Sequence, residues 1–335
     1  MKKILTVVLT IAMLLSATLA FAETEEKMVI GYASSDMADV TNAIMYERIL
    51  SEIAANYPDV EVLNADAGGD IEKQLTNFQM YIDQNVDVIL AGPLDYDALV
   101  PVVEEADEKG ITCIMWAMPI AGGDYVYIGS ETDPLVESRK VKGAGELQAE
   151  YLADKLPENA KICYLAGTYG LIHAINREDG FMNTMAELRP DVEVLASLTA
   201  NYARDEALAI VEDWITTFNG EFDAIVCGND QMALGAIDAL KGAGMEDRLK
   251  EANLNGNANG NGIFIVGVDG SVIETVEDIK EGLFSMTAYQ NVTEQVNGLM
   301  VVLKSLIETG SADDYLVPYE VIDAANADEH IARLS

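Results

Sequence analysis

Polar residues that could bind a small molecule follow two apolar, strand-like runs of this chain. In AIVCGNDQMALGAIDAL, residues 224–240, Asn229 and Asp230 come one glycine after the run, and apolar residues at helical spacing follow. Asp269 ends a second run, IFIVGVD. Amide and carboxylate groups hydrogen-bond hydroxyls well, and α/β proteins bind ligands at the carboxyl ends of strands. Asn229 is also placed to cap the helix, so a cap, a ligand group or both remain open.

The elements that would position these residues alternate between short apolar runs and amphipathic helical stretches. A first series has strand-like runs at 28–34, 60–65, 86–92 and 111–116. A second series begins with a long helix predicted from 134 to 156, and strand-like runs follow at 160–166, 192–198, 223–227, 263–268 and 284–289. Continuous apolar strands separated by helices indicate parallel sheets covered on both faces. Two such series predict an α/β protein with two doubly wound lobes.

The N-terminus predicts export. Lys2 and Lys3 precede an apolar run over residues 4–15, and the segment ends in Ala20-Phe21-Ala22. This pattern is typical of a signal peptide, here residues 1–22. A membrane anchor is the alternative, but the apolar run is short for a bilayer span. The sequence near the predicted cleavage site has no cysteine for a lipid anchor. We therefore expect a periplasmic or secreted protein.

Composition excludes several classes of function. The 335 residues carry a net charge of −37, which opposes binding to nucleic acid. The three cysteines lie in apolar strand-like runs, without the spacing of a metal site or a disulfide framework. The Asn/Gly-rich segment 251–262 is predicted to be an exposed loop, and it lacks the carboxylates of a calcium loop. We expect neither a metal nor a cofactor.

Three motifs resemble one family. They are INREDGF, GNDQMALGAIDALKGAG and IVGVDGSVIETVEDIKEGLFSMTAYQ, in that order. Together they resemble the periplasmic sugar-binding proteins of the ribose- and galactose-binding type, which serve ABC transporters. The resemblance implies two lobes joined by a hinge of three crossing segments, with a ligand cleft between them that closes on binding. It places lobe 1 at residues 27–130 plus 291–319, and lobe 2 at 131–290 plus 320–335.

The resemblance also implies a set of ligand-binding residues in lobe 2. Carried over by position, they are Arg177, Tyr202, Asn229, Asp269 and Gln290, with His173 as a weaker candidate. Asp269 can accept hydroxyl hydrogen bonds, Arg177 can donate several, and the ring of Tyr202 can cover the C–H face of a sugar. Structural alternatives remain open. Arg177 could pair with a neighbouring acid, Glu178 or Asp179, and Asp269 could close a turn.

Lobe 1 departs from the family pattern. The candidates after its first strand are Ser34, Asp36 and Asp39, while Val40 and Thr41 stand where the ribose type has aromatic residues. After the fourth strand, Ala117 and Met118 replace the Asp-Arg pair of the ribose type, and the adjacent Trp116 is a candidate for the pocket wall. Loss of a charged pair leaves ribose hydroxyls unsatisfied, so ribose is a poor candidate for the ligand.

The function predicted from these features is capture of a sugar or sugar-like solute by a non-catalytic, monomeric receptor. The resemblance implies delivery to the permease of an ABC importer. A sensory receptor for chemotaxis or two-component signalling would use the same pocket. A glycoside-processing enzyme would need Asp39 and Asp269 to meet across the cleft as a carboxylate pair.

Overall fold

A computed structural model describes residues 27–133 and 135–334 of the chain. The predicted signal peptide lies outside these described residues. No helix within the described ranges combines the length and the apolar character that crossing a membrane requires.

Twelve strands and eleven α-helices follow one another along the described residues. The strands are β1 Val29–Ser34, β2 Glu61–Asp66, β3 Val88–Ala91, β4 Thr112–Ala117, β5 Val126–Gly129, β6 Lys161–Ala166, β7 Glu193–Thr199, β8 Ala224–Cys227, β9 Phe264–Asp269, β10 Met286–Tyr289, β11 Tyr315–Leu316 and β12 Glu320–Asp323. The helices are α1 Val40–Asn56, α2 Ile71–Gln84, α3 Val100–Glu108, α4 Ala144–Ala153, α5 Ile172–Leu188, α6 Arg204–Thr217, α7 Asp230–Gly242, α8 Glu246–Leu254, α9 Ile273–Glu281, α10 Val292–Thr309 and α11 Ala327–Leu334.

The strands form two six-stranded sheets, one in each lobe. The first has the order β11-β5-β4-β3-β1-β2 and is parallel throughout. The second has the order β12-β10-β9-β8-β6-β7 and is parallel except for the antiparallel pair of β10 and β12. The predicted α/β architecture with two doubly wound lobes is confirmed.

Helices cover both faces of each sheet, as the continuous apolar strands require. In lobe 1, α1 and α10 pack on one face with Met45 and Val296, and α2 and α3 pack on the other with Phe78 and Val103. In lobe 2, α4 and α5 cover one face, and α6, α7 and α9 cover the other. Alternate residues of β1 contribute to the two cores of lobe 1, because successive strand residues point to opposite faces.

The chain crosses between the sheets three times. The first crossing follows β5 at residues 130–143, the second joins β10 to α10 at 290–291, and the third joins β11 to β12 at 317–319. The prediction of a helix from 134 to 156 is wrong in its first part, since α4 begins at Ala144. Arg139 explains the difference. Its Nε and Nη2 donate to Asp314 at 2.7 and 3.0 Å, and its guanidinium lies 4.2 Å from the ring centre of Tyr125. The segment therefore folds onto lobe 1 and forms only a 3₁₀ turn, Glu137–Arg139, in place of an α-helix.

The Asn/Gly-rich segment is more ordered than its composition indicates. Its first four residues belong to α8, which ends at Leu254. The carboxylate of Glu251 then accepts a hydrogen bond from Asn255 Nδ2 at 2.9 Å and one from the backbone N–H of Asn259 at 2.8 Å. The prediction of an exposed loop over 251–262 is therefore wrong for its helical start, and the buried Glu251 organises the turns that follow.

Candidate ligand-binding site

A cavity of about 570 Å³ lies between the lobes, where the carboxyl ends of the two sheets face each other. This volume is in the range of about 300–1,000 Å³ that is typical of small-molecule sites. The cavity is lined from lobe 1 by Ser35, Asp36, Ala38, Asp39, Val40, Asn42, Gly69, Gly92, Pro93, Leu94, Trp116, Ala117 and Met118. From lobe 2 and the second crossing it is lined by Thr168, Leu171, His173, Arg177, Asn201, Tyr202, Ala203, Arg204, Asp205, Asn229, Gln231, Asp269 and Gln290.

Nine of the ten residues predicted for the site line this cavity. Ser34 does not. It is fully buried at the end of β1, and its hydroxyl donates to Asp66 Oδ1 at 3.4 Å. The next residue, Ser35, lines the cavity instead. The prediction was off by one residue, and one residue reverses the direction of a side chain along a strand.

Asp269 is held at the end of β9 in a strained backbone conformation. Its φ of 124° is unusual for a residue other than glycine. Its carbonyl accepts from the Gln290 N–H at 3.0 Å. The following Gly270 is fixed on both sides, because its N–H donates to Asp230 Oδ2 at 2.8 Å and its carbonyl accepts from His330 Nε2 at 2.7 Å. Strain of this kind persists only where the surroundings fix it, and it is concentrated at functional sites.

Asp269 and Asp230, whose carboxylate accepts from the Gly270 N–H, both have perturbed pKa values. Burial raises the pKa of Asp269, the attraction of Arg177 opposes the rise, and the negative charges of Asp230 and Asp39 add to it. Burial raises the pKa of Asp230 to about 7, against the hydrogen bond donated by Thr287. Groups that donate to Asp269 or bring positive charge to it would therefore favour its ionised form.

Arg177, on α5, is buried and links the cavity to two crossing segments. Its Nη1 donates to the carbonyl of Gly228 at 2.7 Å, Nη2 to the hydroxyl of Tyr319 at 3.3 Å, and Nε to Glu131 Oε1 at 3.4 Å. Glu131 lies in the first crossing and Tyr319 in the third, and the Tyr319 hydroxyl donates to the same Glu131 oxygen. The ion-pair partner is thus Glu131, and not a neighbouring acid of α5. Three of the five N–H groups are used in these contacts, which leaves two for a ligand.

Asn229 caps α7, as its position after β8 predicts. Its Oδ1 accepts from the backbone N–H of Met232 at 2.9 Å, and its Nδ2 donates to the carbonyl of Tyr202 at 3.4 Å. The residue is buried and still lines the cavity. The cap is therefore confirmed, and one amide hydrogen remains for a ligand.

Tyr202 and His173 form a stacked pair on the lobe 2 side, with ring centres 5.2 Å apart and planes 24° from parallel. The ring of Tyr202 lies directly over Gly167, where a Cβ would come within 2.0 Å of its Cζ. Burial and the charge of Arg177 lower the pKa of His173, so its imidazole is neutral at neutral pH. The Tyr202 hydroxyl and His173 Nδ1 are buried without a hydrogen-bond partner among the described residues. The hydrogen-bonding capacity of these two atoms is therefore unused within the described part of the chain.

Trp116 forms an apolar wall on the lobe 1 side. It is 5% exposed, packs in the core between the sheet and α1, and also lines the cavity. Its ring lies against Gly92, where a Cβ would come within 3.2 Å of Trp116 Cε2. Met118, also buried, lines the cavity beside it. The sequence was compatible with Trp116 in the core or in the cavity wall. In the structure, Trp116 packs in the core and also lines the cavity.

Two acids of lobe 1 lie at the start of α1. Asp39 caps the helix by accepting from the Asn42 N–H at 2.9 Å, and Asp36 accepts from the Ala38 N–H at 2.8 Å. Val40, at a position where the ribose type has an aromatic residue, lines the cavity and is 47% exposed. Lobe 1 thus presents carboxylates and apolar groups to the cavity.

Comparison with known proteins identifies the family. A model of the periplasmic binding protein domain matches residues 37–311, which is most of the chain. The chain belongs to this family. Its two sheets, three crossings and interlobe cavity are those of a periplasmic binding protein.

Three similar proteins are informative. The xylitol-binding protein of Mycolicibacterium smegmatis is 31% identical to this binding protein over 252 residues, which cover 75% of this chain and 64% of that one. The ribose import binding protein of Bacillus subtilis is 29% identical over 231 residues, 69% of this chain and 66% of that one. The chain thus spans just under two thirds of the length of these two curated relatives. A solved structure of an ABC transporter solute binding protein from Bacillus halodurans with bound myo-inositol matches with a TM-score of 0.79 at 28% identity, and covers 93% of this chain and 100% of that one.

Sequence reasoning missed several lining residues of the binding protein. Gly92, Pro93 and Leu94 follow β3, and Thr168 follows β6. Both strands are visible in the sequence, and the rule that ligands bind at strand ends could have found these positions. Glu131 carries no such signal, because it lies in a crossing segment and reaches the site only through Arg177.

Metal-binding groups do not cluster in the described part of the binding protein. No set of three or more His, Cys, Asp and Glu side chains there could hold a metal ion. The three cysteines are free and buried.

Proposed function

We propose that this protein captures a small polyhydroxylated solute, a sugar or polyol, between its lobes and delivers it to the permease of an ABC importer. The observation that supports this proposal most strongly is that a carboxylate, a guanidinium, an amide and aromatic rings all line one cavity between the lobes. The protein acts outside the cytoplasm, after removal of the signal peptide 1–22, as a non-catalytic monomer without a cofactor or metal.

Each proposed ligand residue has a chemical role. In lobe 2, Asp269 accepts from hydroxyls, Arg177 donates to them, and Asn229 donates through its remaining amide hydrogen. The Tyr202 hydroxyl and His173 Nδ1 gain the hydrogen-bond partners that they lack among the described residues. Gln290 contributes from the second crossing, Asp36 and Asp39 accept from the lobe 1 side, and Trp116 covers an apolar face of the ligand.

Closure would bring the two halves of this site together. We propose that lobe 1 (27–130 plus 291–319) and lobe 2 (131–290 plus 320–335) move as units about the three crossings. A ligand that contacts both lobes binds the closed state better than the open one, and so shifts the population towards closure. Arg177 is placed to couple ligand binding to closure. It lines the cavity, and it hydrogen-bonds Glu131 and Tyr319, which belong to two of the crossings.

The relatives support the chemical class of the ligand. They are named for xylitol and ribose, and the solved structure holds myo-inositol, and all three are polyhydroxylated molecules. Two are described as import or ABC transporter proteins, which favours transport over sensing as the role proposed here.

A thermal-shift screen of monosaccharides, polyols and their amino derivatives tests this proposal. A ligand at about 100 times its Kd adds about 2.7 kcal/mol of stability by mass action. This corresponds to a rise in melting temperature of several degrees for a protein of this size. At least one compound is expected to give such a rise in the wild type and not in Asp269→Asn. A panel without any stabilising member at about 10 mM would contradict the proposal.

D-Ribose is expected to bind at least about 10-fold more weakly than the best ligand of that screen, because hydroxyls left without partners cost about 1–3 kcal/mol each. The reason is the apolar surface of Trp116, Ala117 and Met118 on the lobe 1 side of the cavity. Isothermal titration calorimetry of both compounds measures the difference. A saturable ribose isotherm as tight as that of the best ligand would refute this expectation.

A further inference from the structure

The helix α11 contacts the two strand ends that carry Asp269 and Gln290. Asp269 ends β9, and Gln290 directly follows β10, the neighbouring strand. His330 of α11 contacts the residue next to each of them. Its Nε2 lies 2.7 Å from the carbonyl oxygen of Gly270, and its ring meets the ring of Tyr289 edge to face, with centres 4.3 Å apart. One side chain thus joins both strand ends to α11.

The hydrogen bond to Gly270 explains why a histidine occupies this position. His330 is fully buried and lies outside the cavity lining found in the described part of the chain. A carbonyl oxygen can only accept, so Nε2 carries the proton and donates to Gly270. The other ring nitrogen, Nδ1, is buried without a hydrogen-bond partner among the described residues, which is unfavourable. An apolar side chain would fill the space without that cost, so the donor to Gly270 is what a histidine supplies here.

The turn that His330 contacts holds Asp269 in its strained conformation. The φ angles of Asp269 and Gly270 are 124° and 65°. The Gly270 N–H donates to Asp230 at 2.8 Å, so Asp230 and His330 fix the two sides of this one residue. A strained backbone relaxes when the contacts that fix it are lost. Loss of the His330 donor would therefore let the Asp269 carboxylate leave its position at the cavity.

Gln290 depends on the same support. Its N–H donates to the carbonyl of Asp269 at 3.0 Å, so relaxation of Asp269 would disturb this contact as well. Its neighbour Tyr289 is buried, and the ring of Tyr289 packs against His330. The two proposed ligand residues are therefore held through one common contact.

The helix that carries His330 is itself anchored in lobe 2. Asn326 Nδ2 donates to the carbonyl of Val321 at 2.9 Å, and Arg333 Nη1 donates to Glu320 at 2.7 Å, which joins both ends of α11 to β12. Ala327 is buried in the core of the lobe. The support behind the strand ends is thus part of the lobe and moves with it.

We infer, on the basis of the proposed function, that His330 is a positioning residue of the ligand site. It makes no contact with the solute, and it holds Asp269 and Gln290 where a bound solute needs them.

Amide hydrogen exchange in the ligand-free protein, followed by NMR, tests the support itself. His330→Phe keeps a ring and loses the donor, so the N–H groups of Gly270 and Gln290 are expected to exchange at least about 10-fold faster than in the wild type. Tyr151→Phe is the matched control. Tyr151 donates to the carbonyl of Ser285 at 2.9 Å, just before β10, so this variant also loses one donor to a backbone carbonyl, but at the far end of the strand. It is expected to keep the wild-type rates at Gly270 and Gln290.

Calorimetry with the compounds of the thermal-shift panel, among them xylitol and myo-inositol, tests the effect on binding. Each compound that binds the wild type is expected to bind folded His330→Phe at least about 10-fold more weakly, because it must restore the strained turn. His330→Gln keeps an N–H donor at the reach of Nε2 and is expected to stay within about 3-fold of the wild type. His330→Asn is too short to reach Gly270 and is expected to match His330→Phe, which it replaces if His330→Phe does not fold.

The outcomes separate this inference from the proposed function. A lower melting temperature with unchanged affinity of the folded variants would show that His330 serves stability alone, and the inference is overturned while the proposed function stands. Wild-type exchange rates at Gly270 and Gln290 in His330→Phe overturn the inference whether or not a compound binds. If no compound binds the wild type, the proposed function fails, and the role of His330 in ligand binding fails with it.

Discussion

Replacing Asp269 with asparagine is expected to lower the affinity for the ligand at least about 100-fold, since hydrogen bonds to a charged group contribute about 1.5–3 kcal/mol each. Asp269 ends β9 at the cavity, and asparagine keeps a side-chain oxygen that can accept the hydrogen bond from the Asp230 backbone. Asparagine has the same shape as aspartate, so the substitution leaves the packing around the strand end unchanged. The melting temperature of the ligand-free protein is therefore expected to change little.

Calorimetry with the tightest ligand of the screen measures this loss, and circular dichroism confirms that the variant is folded. Asp213→Asn is the control, because Asp213 is an exposed acid on α6 of the same lobe. A folded Asp269→Asn variant with wild-type affinity would show that Asp269 does not contact the ligand.

Replacing Glu131 with alanine is expected to destabilise the protein by about 3 kcal/mol, the typical cost of leaving one partner of a buried ion pair alone. The Glu131 and Arg177 side chains are 2% and 7% exposed. Without Glu131, the guanidinium keeps only the Gly228 carbonyl and the Tyr319 hydroxyl as partners among the contacts described above. The crossing segments also lose the oxygen that joins them.

Urea unfolding at room temperature measures this effect. Glu137→Ala is the matched control, because Glu137 pairs with Lys140 in the same crossing but its side chain is 86% exposed. Exposed pairs contribute about 0–1 kcal/mol, so this variant is expected to stay close to the wild type. Glu131→Gln keeps the shape and an acceptor, and it is expected to lose less than Glu131→Ala. Equal stability of Glu131→Ala and Glu137→Ala would contradict the role given to the buried pair.

Most of the fold could be predicted from local patterns in the sequence. The runs that became β1, β3, β4, β8 and β9 are continuous and apolar because helices cover both faces of each sheet. Asn229 follows such a run directly, and its cap on α7 could be predicted from these neighbours alone. The first crossing could not, because its path depends on Arg139 meeting Asp314, 175 residues further along the chain.

The residues that line the cavity could be predicted from the sequence where they directly follow a strand that the sequence shows. Asp269 and Asn229 follow strands, and the geometry of parallel sheets brings strand ends to one edge. Ser34 and Ser35 show the limit of this reasoning, because an error of one residue exchanges a buried side chain for one that lines the cavity. Glu131 was missed because the contact that gives it a role is a tertiary one, with Arg177.

The central claim, that a ligand binds between the lobes, is tested most directly by tryptophan fluorescence. The chain has two tryptophans. Trp116 lines the cavity, whereas Trp214 packs on α6 against the core of lobe 2, away from the cavity lining. Because Trp116 is only 5% exposed, we expect ligand contact to change its emission intensity more than its wavelength. Titration with the best ligand is predicted to give a saturable change in the wild type and in Trp214→Phe, and none in Trp116→Phe. A change that survives in Trp116→Phe and disappears in Trp214→Phe would contradict binding in this cavity.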